Sequence, residues 1–130
     1  MKGMDINMYE SGEMYLETIL VLKKNNDQVR AIDIARYLNF SKPSVSRAIG
    51  KLKEDEYILV DSSGHIELTD KGIKVAKDIY EKHRILTTFF KTVIKVSPEI
   101  AEEDACRIEH VISDETFQGL KKYLEENKII

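Results

Sequence analysis

Residues 30–53 read RAIDIARYLNFSKPSVSRAIGKLK, and the spacing within this stretch decides the architecture. Ala31, Ile34, Ala35 and Leu38 recur at helical intervals, so a short helix is expected from Arg30 to Leu38. Asn39 and Phe40 make the turn. Ser41 stands where an N-cap belongs, and Pro43 falls in the first turn of the next helix, where a missing N–H costs nothing. Val45, Ile49 and Leu52 then line the buried side of a helix running to about Glu54. The pair is basic. Arg30, Arg36, Lys42, Arg47, Lys51 and Lys53 stand against the single acid Asp33.

On the N-terminal side, residues 6–24 carry Met14, Tyr15, Ile19 and Leu22, with Leu16 and Leu20 beside them, which predicts a first helix. Asn25, Asn26 and Asp27 close it as a polar turn. On the C-terminal side, residues 57–60 are apolar and β-prone, and residues 65–68 alternate apolar and polar. Asp61-Ser62-Ser63-Gly64 between them reads as a hairpin turn. Thr69 and Asp70 cap a long fourth helix to about Ile94, with Ile73, Ala76, Ile79, Tyr80, Ile85, Leu86, Phe89, Phe90 and Val93 as its apolar positions. Ser97-Pro98 opens a fifth helix to about Ile112, and Ser113 caps a sixth over residues 114–126. The expected fold is mainly α with a small β-hairpin. Three short helices and then a hairpin is the order of a winged helix-turn-helix, followed here by a second helical domain. The domains are expected at residues 1–72 and 73–130, with the boundary inside the fourth helix.

The chain has 130 residues, enough for one ordinary domain or two small ones sharing a core. Hydrophobic residues make up 42% and charged residues 33%, a globular composition. No apolar run is long enough for a membrane span, and the early acids of the N-terminus are not those of a signal peptide. The one cysteine, Cys106, excludes an internal disulfide and fits a reducing cytoplasm, the expected location. A net charge of −3 argues against a polyanionic partner. The distribution reverses that reading, because residues 96–130 hold nine acids against four basic residues while residues 30–53 are strongly basic. This pattern suits a polyanion at one end of the chain and a cation at the other. Two solvated helix faces would give the same pattern.

The third helix opens with Ser41, Lys42, Pro43, Ser44, Ser46 and Arg47. Side chains at the start of such a helix reach base edges in the major groove, and backbone N–H groups there favour phosphate. Lys51 and Lys53 lie further along for backbone contacts, and Arg30 with Ala31 opens the preceding helix. Ser62, Ser63, Gly64 and His65 form the tip of the wing. Double-stranded DNA is the partner this face implies, although a winged helix can also serve as a protein scaffold. The second constellation is Cys106-x-x-Glu109-His110, whose spacing puts a thiol, a carboxylate and an imidazole on one helix face. Such a set can converge on one cation. Glu13, Met14 and Glu17 on the first helix and His83 on the fourth supply further donors. Against this, a lone cysteine is often a small core residue, and a lone histidine is often structural.

GEMYLETI at residues 12–19, RAIDIARYL at 30–38, SKPSVS at 41–46, LTDKG at 68–72, KHRIL at 82–86 and DACRIEHVISDE at 104–115 resemble, in order, the diphtheria-toxin-repressor family, which includes the manganese transport regulators. The resemblance implies a homodimeric, metal-dependent repressor of iron or manganese uptake genes, binding a palindromic operator through its winged helix. It also implies a helical metal-binding and dimerisation domain. The SH3-like third domain of the iron branch is not expected in a chain ending at Ile130. The family's activating site falls on Met14, Cys106, Glu109 and His110. Its second site falls on His83, with Thr87 and Glu102 where the iron branch has an acid and a histidine. Thr87 is a poor ligand, so that site is altered. Glu17 matches a ligand of the short manganese regulators, which carry Asp and Glu where Met14 and Cys106 stand. Thiolate and thioether favour iron(II), and manganese(II) is the alternative.

No enzyme is expected, because the sequence shows no nucleophile–base pair and no His-Glu-x-x-His run. A membrane partner and a small-molecule substrate are likewise not expected. Two other readings stay open: a metal-independent winged-helix regulator of the multidrug-resistance type, and a metal-binding enzyme.

Overall fold

The computed structural model describes residues 3–130, with side chains from residue 12 onward. The elements are α1 (Gly3–Asn25), α2 (Ala31–Leu38), α3 (Lys42–Glu54), β1 (Ile58–Val60), β2 (Ile66–Leu68), α4 (Asp70–Phe89), a π-helical turn (Phe90–Ile94), α5 (Pro98–Ile108) and α6 (Asp114–Glu126). The chain forms two compact units, one up to Lys77 and the other from Asp78. No helix among the described residues is long and apolar enough to cross a membrane.

In the first unit α1, α2 and α3 enclose a core of Tyr15, Leu16, Ile19, Ile34, Val45, Ile49 and Leu52, to which β1 and β2 add Ile58 and Ile66. The helix ends form for local reasons. The backbone N–H of Arg30 donates to Asp33 Oδ2 at 2.9 Å, which secures the start of α2. Asn39 ends α2 in the left-handed region (φ 58°), which asparagine tolerates better than most residues. The hydroxyl of Ser41 accepts the N–H of Ser44 at 3.3 Å and caps α3, with Pro43 in the first turn as its fixed φ requires.

The strands pair antiparallel, with Ile58 opposite Leu68, Leu59 opposite Glu67 and Val60 opposite Ile66. Gly64 sits at φ 85° in the turn, a conformation that disfavours any side chain. The backbone N–H of Ile66 also donates to the Val29 carbonyl at 2.8 Å, so residue 29 pairs with β2 as a one-residue third strand. Where α4 begins, the Thr69 hydroxyl donates to the Glu56 carbonyl at 2.7 Å and accepts the Gly72 N–H at 3.1 Å. Gly72 is required there, since a Cβ would overlap the Tyr57 carbonyl oxygen.

In the second unit Ile85, Phe117 and Leu124 form a cluster with Phe89, Val93, Ile112 and Ile129 packed against it. Ser97 and Ser113 cap α5 and α6 through the N–H groups of Ile100 and Thr116, at 3.3 and 3.1 Å. The Lys121 ammonium donates to Glu81 Oε2 at 2.9 Å, and this carboxylate pushes the Lys121 pKa up.

Two elements end differently from the expectation. The fourth helix keeps α geometry only to Phe89, then widens into the π-helical turn, which Lys95 closes at φ 70° by donating its N–H to the Phe90 carbonyl at 2.8 Å. The fifth helix stops at Ile108 rather than about Ile112. The N–H groups of Val111 and Ile112 both donate to the Ile108 carbonyl, at 3.0 and 2.9 Å, which tightens the last turn and ends the helix.

Candidate metal centre and nucleic-acid interface

Glu109 is the C-cap residue of α5, and with only 1% of its surface exposed it is a buried carboxylate. Removing an ionised carboxylate from water is costly unless charge or strong hydrogen bonds replace the solvent. Two imidazoles supply that environment. Nδ1 of His83, from α4, lies 2.7 Å from Glu109 Oε1, and Nε2 of His110 lies 3.2 Å from Glu109 Oε2. The other ring nitrogen of His83, Nε2, lies 3.2 Å from Oε1 of the exposed Glu102. The His83 ring thus has a carboxylate oxygen on each nitrogen. A neutral imidazole donates from only one nitrogen, so the second contact needs a proton from either partner or a cation in its place. Cys106 is exposed one turn before Glu109 and His110. Imidazole, carboxylate and thiol together form a donor set that fits a first-row divalent cation.

The family resemblance divides these residues between two sites. Here His83, Glu102, Glu109 and His110 form one connected group within the second unit. That link joins α4 to the end of α5, and no local sequence signal marks it. Thr87, expected to be a poor ligand, has its hydroxyl oxygen buried without a hydrogen bond. Met14 and Glu17 lie half-buried on α1 in the first unit.

The candidate DNA-binding residues lie at the start of α2 and along α3, from its cap to its last turn. Ser41, Lys42, Pro43, Ser46, Arg47 and Lys51 are exposed, Ser44 and Ala31 are half-buried, and Arg30 is exposed at the start of α2. The Ser41 hydroxyl donates to Ser44 Oγ at 2.8 Å, and the Arg47 guanidinium donates to the same Ser44 oxygen at 3.4 Å. Arg47 is therefore tethered one turn back along its own helix. Lys51 lies 3.7 Å from carboxylate oxygens of both Glu54 and Asp55, so part of its charge is already engaged. A shallow pocket between the helices is lined by Ala31, Ile32, Lys42, Val45 and Ser46. The sequence reading did not single out Ile32. It also missed that His65 of the wing accepts a hydrogen bond from Arg30, a contact between residues far apart in the chain.

Two family profiles match successive parts of the chain. Residues 7–66 match the profile described as the N-terminal DNA-binding domain of iron-dependent repressors. Residues 69–129 match the family's metal-binding and dimerisation domain. An HTH-type transcriptional regulator of Methanocaldococcus jannaschii is 35% identical over 122 residues, covering 93% of this chain and 98% of that protein. The iron-dependent repressor IdeR of Mycobacterium tuberculosis is 33% identical over 117 residues, covering 90% of this chain and 51% of IdeR. Among solved structures, the manganese regulator SloR superposes with a TM-score of 0.79 at 30% identity, covering 88% of this chain and 53% of SloR. The chain thus spans about half the length of IdeR and of SloR and nearly all of the archaeal regulator. It belongs to the diphtheria-toxin-repressor and manganese-transport-regulator family of metal-dependent transcriptional regulators.

Proposed function

We propose that the chain is a metal-activated repressor of iron or manganese uptake genes, binding a palindromic operator as a homodimer in the cytoplasm. The observation that carries this reading is the buried Glu109 carboxylate held between His83 and His110. Residues 1–72 bind DNA, and residues 73–130 carry most of the cation ligands and dimerise. The family profiles, which divide between residues 66 and 69, support that assignment. The exposed apolar side chains of the second unit, Ile94, Ile100, Val111 and Tyr123, support a dimer face within it.

The ligand set is the one expected from the sequence, Met14, Glu17, His83, Glu102, Cys106, Glu109 and His110. Four of them, His83, Glu102, Glu109 and His110, are supported by their connection in the second unit. A bound divalent cation supplies positive charge at the Glu109 carboxylate and a fixed coordination geometry. Glu109 holds its orientation through the bond to His83, whose other nitrogen is steadied by Glu102. Iron(II) is favoured because Cys106 and Met14 are soft donors, and manganese(II) remains the alternative. IdeR is named for iron and SloR for manganese, so relatives of both kinds exist. On DNA, this reading assigns Arg47 and the small residues Ser44 and Ser46 to base edges. It assigns Arg30, Ala31, Ser41, Lys42, Pro43 and Lys51 to the backbone.

The test is operator binding under anaerobic conditions, using palindromic duplexes selected by the chain itself. Iron(II) or manganese(II) should tighten binding by about 5–150-fold over a chelator control. Cys106→Ala should abolish the gain with iron(II) and leave the melting temperature of the metal-free chain unchanged. Equal affinity with and without chelator would remove metal activation from the reading.

A further inference from the structure

The bridge between Val29 and Ile66 places the residues after and before them, Arg30 and His65, side by side. A guanidinium nitrogen of Arg30 lies 3.2 Å from His65 Nε2. Arginine carries only donors, so Nε2 must accept, and the ring proton then belongs on Nδ1. Nδ1 lies 3.3 Å from Asp61 Oδ2, which accepts that proton's hydrogen bond. The other oxygen, Asp61 Oδ1, takes the backbone N–H groups of Ser63 and His65 at 2.8 and 2.9 Å, so the wing tip is folded around this one carboxylate. The His65 N–H is the largest influence holding the Asp61 carboxyl below the usual range, followed among the lowering influences by the Ser63 N–H and then the His65 imidazole. Every bond in the series therefore donates in one direction, from Arg30 to His65 to Asp61.

We infer that His65 is a positioning residue of the nucleic-acid interface, whose imidazole, anchored by Asp61, holds the Arg30 guanidinium in place against the DNA backbone. This rests on the reading of Arg30 as a backbone-contacting residue. The bond uses one of five guanidinium N–H donors and leaves the others for phosphate oxygens. An exposed arginine without such a tether samples many rotamers and must be ordered when DNA binds. The imidazole carries out that ordering in advance. It also ties the wing to the start of the helix-turn-helix, so the two DNA-facing parts of the unit are held in a common frame.

The experiment follows binding of the full chain, loaded with manganese(II), to a mixed-sequence labelled duplex about two helical turns long. Affinity is measured across about 50–200 mM salt, where the slope reports phosphate contacts. Arg30→Ala should lower the magnitude of the log–log slope by about 0.9, the value of one phosphate contact. His65→Ala should lower it by a comparable amount, and should change nothing further in the Arg30→Ala background. His65→Gln retains a neutral side-chain acceptor and should recover most of the wild-type slope. Melting temperatures, and the Gln variant, separate this effect from a failure of the hairpin to fold. If Arg30→Ala flattens the slope and His65→Ala does not, the relay is overturned while the Arg30 contact stands. Additive slope losses in the double variant would also overturn the relay. A wild-type slope in Arg30→Ala would overturn the backbone contact itself, and the relay with it.

Discussion

In the unit ending at Lys77 the interior is made of Leu16, Ile19, Val29, Ile34, Val45, Ile58 and Ile66, and the buried polar side chain among the described residues is Thr18. In the unit beginning at Asp78 the apolar cluster around Ile85, Phe117 and Leu124 is smaller, and a buried carboxylate, Glu109, lies between two histidines. The first interior follows from removing apolar surface from water. The second adds an ionisable group whose charged form is unfavourable to bury unless partners compensate it. One unit is therefore specified by shape and burial, and the other in part by what occupies its polar cluster.

The largest expected effect tests whether the small apolar cluster still carries the second unit. Phe117→Ala removes its largest fully buried side chain and should cost about 3–5 kcal/mol in denaturant unfolding. A cost well under that would mean the polar group, rather than the cluster, holds the unit together.

Next comes the polar group itself. Manganese(II) at a hundredfold excess over its dissociation constant should stabilise the chain by about 2.7 kcal/mol. Glu109→Gln should erase that gain. Ile34→Ala, a lesion in the other interior, should lower stability overall and keep the metal-induced rise. A gain in Glu109→Gln equal to that of the wild type would break the contrast between the two units.

The smallest effect belongs to the wing. The Asp61 carboxyl is held below its ordinary value in the folded chain, so its contribution is complete above the unfolded value and is lost as pH falls through the folded one. Melting followed from about pH 6 to about pH 3 should show this loss, and Asp61→Asn should be flatter over the same range. Because Asp61 is exposed, the effect is small, and it should not depend on metal.

The first unit was largely legible because its signals are local. The Val45, Ile49 and Leu52 spacing, the Ser41 cap and the Asp61–Gly64 turn each occupy a few consecutive residues, and each is seen as read. The pairing of Val29 with Ile66 was not legible, and neither was the Arg30–His65 bond it creates, because both join residues distant in the chain. In the second unit Cys106, Glu109 and His110 were found by spacing, and His83 by its chemistry. The connection of His83 and His110 through Glu109 depends on how α4 meets the end of α5. The early end of α5 was hidden because residues 109–112 include neither glycine nor proline.

The turn at Phe90–Ile94 has a further consequence for the length of the chain. An α turn takes 3.6 residues, and the wider ring of a π turn accommodates one more between the same flanking points. This stretch therefore absorbs a residue that a continuous α-helix would have to pass on as a rotation of everything after it. When relatives are placed beside this chain, a single-residue gap in residues 90–94 would be a change of helix type. The apolar phase before the turn and the phase after it need not match, and each has to be read from its own end.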